Sequence, residues 1–124
     1  MTRTPEIEEE DPIRAGREGA CYLALEVLRE TYPEGEPYKL TSPPDYGFDH
    51  VLLFRNERFL DVGGFVTIDE LKAWYHDDSL RPERTTFDKV QQRFAGNFLP
   101  DEERRYRKLF RHFIQNHRYD LFPK

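Results

Sequence analysis

The sequence predicts an α+β domain, with an amino-terminal helix packed on a small antiparallel sheet and two or three carboxy-terminal helices after it. Three observations carry this expectation. Ala20, Leu23, Ala24, Val27, Leu28 and Thr31 recur at three- and four-residue steps, which puts one apolar stripe along a helix. Phe48–Phe54 and Arg58–Val62 read as two strands around Asn56-Glu57, the clearest hairpin signal in the chain. Tyr106, Leu109, Phe110, Phe113 and Ile114 fall on one face of a final helix.

In chain order, residues 1–11 hold Glu6, Glu8, Glu9, Glu10 and Asp11 with almost nothing to bury, so they read as a frayed acidic tail. Residues 12–124 form the single globular domain. The first helix lies between Pro12 and Tyr32 and has two candidate starts. Asp11-Pro12 is a good cap followed by proline at the first helical position. Gly16 and Gly19 weaken a helix there and would move the start to just before Cys21. Pro33, Gly35, Pro37, Pro43 and Pro44 make residues 33–47 a loop, with a short extended piece at Tyr38-Lys39-Leu40. Gly63-Gly64 closes the hairpin. Thr67-Ile68-Asp69-Glu70 is a capping box, and Val66 and Leu71 sit at the positions of a hydrophobic staple. The helix it starts would bury Ile68, Leu71, Trp74 and Tyr75. A further helix over Thr86–Ala95 turns Phe87, Val90 and Phe94 inward and ends at Gly96-Asn97.

Composition narrows the function classes. At 124 residues there is room for one domain, and 15% aromatic residues let few side chains bury much area although 35% are charged. No apolar run approaches the roughly 18 residues that span a bilayer, and the amino terminus lacks the apolar region of a signal peptide. The expected location is cytoplasmic, with no membrane partner. A lone cysteine suits a reducing compartment and excludes multi-cysteine zinc or iron–sulfur sites within one chain. No cofactor is implied. The net charge of −5 points away from nucleic acid as the main partner. That charge is uneven: residues 1–36 carry ten acidic and four basic side chains, while residues 101–124 carry four and seven.

Cys21 is the candidate nucleophile. It stands in or near the first turn of an apolar helix, where free backbone N–H groups and the helix dipole stabilise a thiolate and can donate to an oxyanion. Such a nucleophile needs a base, and His50 is the only histidine of the hairpin. The base needs an orienting group. With Asn56-Glu57 as a two-residue turn, Arg55 faces Arg58 and Leu52 faces Asp61. His50 and Asp61 are then diagonal neighbours on one sheet face, roughly 7 Å apart between Cα atoms. A one-residue slip would separate them.

A cysteine opening a helix, then histidine on a strand and aspartate on the next antiparallel strand, resembles the papain-like, transglutaminase-like superfamily of cysteine enzymes. Gly19-Ala20-Cys21-Tyr22 is similar to the Gly-Ser/Ala-Cys-aromatic run around the papain nucleophile. The resemblance covers roughly Gly16 to Gly64. It implies Cys21 as nucleophile, His50 as general base and acid, Asp61 as the group that orients it, and a protein or peptide-like amide as substrate. The chain departs from papain in having Glu18 in place of that run's first cysteine and no glutamine shortly before Cys21. The short distance from Cys21 to His50 suits only a minimal member of the superfamily.

Other readings stand beside this one. Cys21, Leu25 and Leu28 make an apolar line of their own, and a helix starting at Pro12 would bury Cys21 in its middle as a core residue. His50 can be an ordinary strand histidine, and Asp61 can cap the Gly63-Gly64 turn. Cys21, His50, Asp61 and His76 have the ligand types of a metal site without diagnostic spacing. The run Arg104, Arg105, Arg107, Lys108 and Arg111 could contact phosphates or form a solvated helix face. The alternative function is therefore a small binding or inhibitor protein without catalysis. The sequence leaves the oligomeric state open.

Overall fold

A computed structural model of the chain describes residues 11–42, 45–118 and 121–122. The acidic segment 1–10 lies outside the described residues. Asp11 does belong to the fold: its carboxylate accepts from the Ile13 amide at 3.0 Å and caps α1, Pro12–Glu18.

Both candidate starts of the first helix are used, because there are two helices. After α1 the chain breaks at Gly19-Ala20, and α2 runs from Cys21 to Thr31. Gly19 is a poor helix residue at the break. Gly16 has a different purpose: a Cβ there would lie 2.3 Å from Val62 Cγ1, so its absence lets α1 seat against the turn after β3. α2 is buried from Cys21 to Leu25 and again at Val27 and Leu28, and exposes Glu26, Arg29, Glu30 and Thr31.

The strands are β1 (Glu36–Ser42), β2 (Asp45–Arg55), β3 (Arg58–Asp61), β4 (Gly64–Val66) and β5 (Arg81–Arg84). They form one five-stranded antiparallel sheet in the order β4-β3-β2-β1-β5. The hairpin register is the expected one. Arg55 faces Arg58, Phe54 faces Phe59 and Leu53 faces Leu60, around a turn whose Asn56 and Glu57 have φ of 52° and 64°. Positive φ at both central residues matches the twist of the flanking strands.

Three sheet segments depart from the sequence reading. The proline-rich stretch expected as a loop contains β1, an interior strand. Pro37 is tolerated because it precedes the β5 pairing, which begins at Tyr38, and its carbonyl still accepts from Thr85 N at 3.1 Å. The short strand β4 follows the Val62-Gly63 turn and pairs with β3. β5, which has Pro82, is an edge strand, where a missing N–H costs least.

Three further helices follow: α3 (Ile68–Tyr75), α4 (Phe87–Phe94) and α5 (Pro100–Asn116). The capping box is present: Glu70 N donates to Thr67 Oγ1 at 3.1 Å, and Thr67 N donates to Glu70 Oε1 at 2.9 Å. Leu71 is buried with Val66, as the staple requires, but Trp74 is 38% exposed and leaves the expected buried face. α4 buries Val90 and Phe94, and α5 buries Phe110 and Ile114.

Two apolar clusters hold these layers together. The larger takes Val51, Leu53 and Leu60 from the sheet and packs them with α2, α4 and α5. The smaller takes Leu40 and Leu52 and packs them with Leu71 of α3. Adjacent residues of β2 thus feed different clusters, as the period of a strand dictates. The basic run on α5 is no simple solvated face. Arg107 reaches Glu26 at 3.2 Å and Arg111 reaches Glu30 at 2.7 Å, so ion pairs tie α5 to α2. Tyr22 Oη adds a 2.9 Å hydrogen bond to Glu103. Among the described residues, no helix is long and apolar enough to cross a membrane.

Candidate active site

Cys21 is the first residue of α2, with Ala20 as its cap residue. The geometry of a helix start leaves the amides of Cys21 and Tyr22 without intrahelical acceptors. The Leu23 and Ala24 amides donate to the Ala20 carbonyl, both at 3.1 Å. The thiol is buried all the same, at 4% exposure. The two sequence readings of Cys21, helix start and core residue, therefore both describe its place.

His50 lies within β2 and is fully buried. Its Nε2 is 3.1 Å from Asp61 Oδ2, so the diagonal pair expected from the hairpin register is a hydrogen-bonded pair. Nδ1 of the same ring has no hydrogen-bond partner. The Cys21 thiol is close enough to act on the charge of the ring, yet not in hydrogen-bonding geometry with that nitrogen.

Asp61, at the end of β3, is the most heavily bonded side chain of the group. Oδ2 accepts from Arg17 Nε at 2.7 Å as well as from His50, and Oδ1 accepts from Arg17 Nη2 at 3.2 Å and from the Gly63 amide at 2.7 Å. The expected turn-capping role of Asp61 and its role toward His50 coexist because each oxygen serves one of them.

The electrostatics follow from these contacts. Burial opposes a charge on His50, but Asp61 and then Cys21 outweigh it and push the imidazole up to about 9. Burial likewise opposes ionisation of Asp61, and the His50 and Arg17 donors overcome it and hold the carboxyl below its ordinary range. At neutral pH the carboxylate therefore faces a charged imidazole and a guanidinium.

Two neighbours gave no signal in the sequence of a place at this site. Arg17, on α1, finds a partner 44 positions away, which no local pattern can announce. Tyr75, at the end of α3, lies with its ring 5.8 Å from the His50 ring, and its hydroxyl donates to the Arg17 carbonyl at 2.5 Å. Burial first, then the charges of Cys21 and Asp61, raise the Tyr75 phenol well above its ordinary range and keep it neutral.

His76 is not part of the group. It caps the end of α3 in the left-handed region, at φ 55°, and is exposed. Among the described residues, no set of three His, Cys, Asp or Glu side chains is placed to hold a metal ion. No family model, no curated protein and no solved structure matches this chain.

Proposed function

We propose that the chain is a cysteine-dependent acyl-transfer enzyme acting on an amide or thioester, with Cys21 as nucleophile, His50 as base and acid, and Asp61 as the orienting carboxylate. The observation that carries this reading is the division of labour on the His50 ring. Nε2 is engaged by Asp61, and buried Nδ1 is left without a partner, beside a thiol at a helix start. With Nε2–H donated to the carboxylate, Nδ1 is the nitrogen that takes the thiol proton, and the charged imidazole that Asp61 stabilises is then the partner of a Cys21 thiolate.

The cycle then balances as follows. The thiol proton moves to Nδ1, and sulfur forms a bond to the substrate carbonyl carbon. The oxyanion takes hydrogen bonds from the Cys21 and Tyr22 amides. Collapse breaks the bond to the leaving amine or thiol, which receives the proton from His50. Water or an acceptor amine, deprotonated by His50, attacks the thioester and releases the acyl group, and the Cys21 thiol is restored. A protein or peptide-like amide is the substrate class, in keeping with the resemblance to papain-like and transglutaminase-like enzymes.

A second reading draws on the 4% exposure of Cys21. In it, the chain is a binding or inhibitor protein, and the His50–Asp61–Arg17 cluster is a buried structural network. One measurement separates the two: alkylation of Cys21 by iodoacetamide at pH 6.5, in wild type and in His50→Ala. The enzyme reading expects a fast wild-type reaction that the substitution slows by about tenfold or more. An inert thiol in both proteins sinks it and leaves the structural network.

A further inference from the structure

We propose that Arg17 is a positioning residue of this site, fixing the Asp61 carboxylate, and through it the His50 ring, in one orientation. The inference deepens the acyl-transfer reading above and rests on it for its functional meaning.

Arg17 presents its Nε and Nη2 to the two oxygens of Asp61, at 2.7 and 3.2 Å. A two-pronged contact of this kind fixes the plane of the carboxylate, which a single contact cannot do. The pair is shielded from water, with the side chains 11% and 2% exposed. Fixing the plane matters because Oδ2 is the oxygen that meets His50 Nε2. Rotation of the carboxylate would free the imidazole to turn, and Nδ1 would no longer be the nitrogen presented to the thiol.

Arg17 is itself held at both ends. The Tyr75 hydroxyl binds its carbonyl at 2.5 Å, and its guanidinium carbon lies 4.7 Å from the centroid of the Trp74 ring. This also explains why Trp74 leaves the buried face of α3. Space for the guanidinium is left by Gly63, where a Cβ would lie 2.6 Å from Arg17 Nη2. Arg17 does not touch the reacting atoms in the proposed cycle; it acts through Asp61.

The test follows two signals in each variant: solvent exchange of the His50 Nε2 proton by NMR, and alkylation of Cys21 by iodoacetamide. The expected result is a slowly exchanging Nε2 proton in wild type that is lost in Arg17→Met, with alkylation about tenfold slower. Arg17→Lys keeps the charge but not the fork, so it is expected to behave like Arg17→Met. Wild-type behaviour in Arg17→Lys would show that charge alone suffices and overturn the proposal, as would unchanged exchange in Arg17→Met. Should Arg17→Met not fold, Gly63→Ala displaces the guanidinium without removing it, and retention of a slowly exchanging proton there also overturns the proposal. The catalytic reading fails separately: if wild-type Cys21 is inert, exchange at His50 still decides whether Arg17 positions the pair.

Discussion

Asp61→Asn is the most informative single substitution, because it keeps the shape of the carboxylate and removes its charge. All four contacts to Asp61 come from donors or from a ring nitrogen that is protonated at neutral pH: two from Arg17, one from Gly63 and one from His50. An amide has one oxygen to offer. If that oxygen stays with Gly63 and Arg17 Nη2, the amide nitrogen faces Arg17 Nε and His50 Nε2. The imidazole can then only accept at Nε2, which moves its remaining proton to Nδ1, the wrong tautomer for taking a thiol proton. Stability is affected as well, since a buried guanidinium loses its counterion at a cost of about 3–5 kcal/mol.

The pH dependence gives this argument its sign. His50 is raised in the fold from its ordinary value of 6.5 to about 9. A raised group stabilises the fold fully below the unfolded value and loses that contribution as pH climbs through the folded one. The difference amounts to about 3 kcal/mol, at roughly 1.4 kcal/mol per pH unit. The assay is urea unfolding of the wild type, Asp61→Asn and Cys21→Ala between pH 6 and 9. That range stays below the ionisation of free tyrosine, whose buried counterparts Tyr22 and Tyr75 are both raised. Wild type is expected to lose stability across this window. Cys21→Ala, which removes thiol ionisation from the balance, is expected to keep a smaller slope because Asp61 is the stronger of the two partners raising His50. Asp61→Asn is expected to start lower and to show a smaller slope than Cys21→Ala, because it removes the stronger partner. A flat wild-type profile, or a slope in Asp61→Asn as steep as the wild type's, would refute the coupling. Titration of the His50 ring signal in wild type gives a second check, with a midpoint near 9 expected and one near 6.5 contradicting it.

The remaining predictions concern the scaffold. Gly16→Ala places a Cβ 2.3 Å from Val62 Cγ1 and is expected to cost about 1–3 kcal/mol in urea unfolding, with relief in the Gly16→Ala, Val62→Ala double variant. Thr67→Ala removes one half of the capping box and is expected to cost about 1 kcal/mol. That loss is visible as a lowered thermal midpoint with Cys21 reactivity unchanged. For Arg111 and Glu30, both about half exposed, a double-mutant cycle should return less than about 1 kcal/mol of coupling, shrinking further in high salt. A larger, salt-insensitive coupling would show that the α2–α5 ion pairs do more than surface pairs ordinarily do.

Local patterns determined much of this protein. The turn at Asn56-Glu57 set the register of β2 and β3, because a two-residue loop admits one alignment, and that alignment brought His50 and Asp61 together. The capping box at Thr67 and the stripe on α5 were legible for the same reason: partners three or four positions apart meet on a helix whatever surrounds them. Tertiary structure decided the rest. Pro37, which read as loop, became part of β1 because its missing donor fell outside the β5 pairing, a fact about a strand some 45 residues away in sequence. Gly16 read as a weak helix residue, whereas its value lies in the close approach to Val62. The partners of Arg17 and Tyr75 were invisible, since a buried charge pair and a side-chain bond to a distant carbonyl leave no period to detect. Cys21 shows the division most clearly. The sequence offered a helix start or a buried core position, and folding chose both, because a break at Gly19-Ala20 begins a new helix whose first residues pack into the larger apolar cluster.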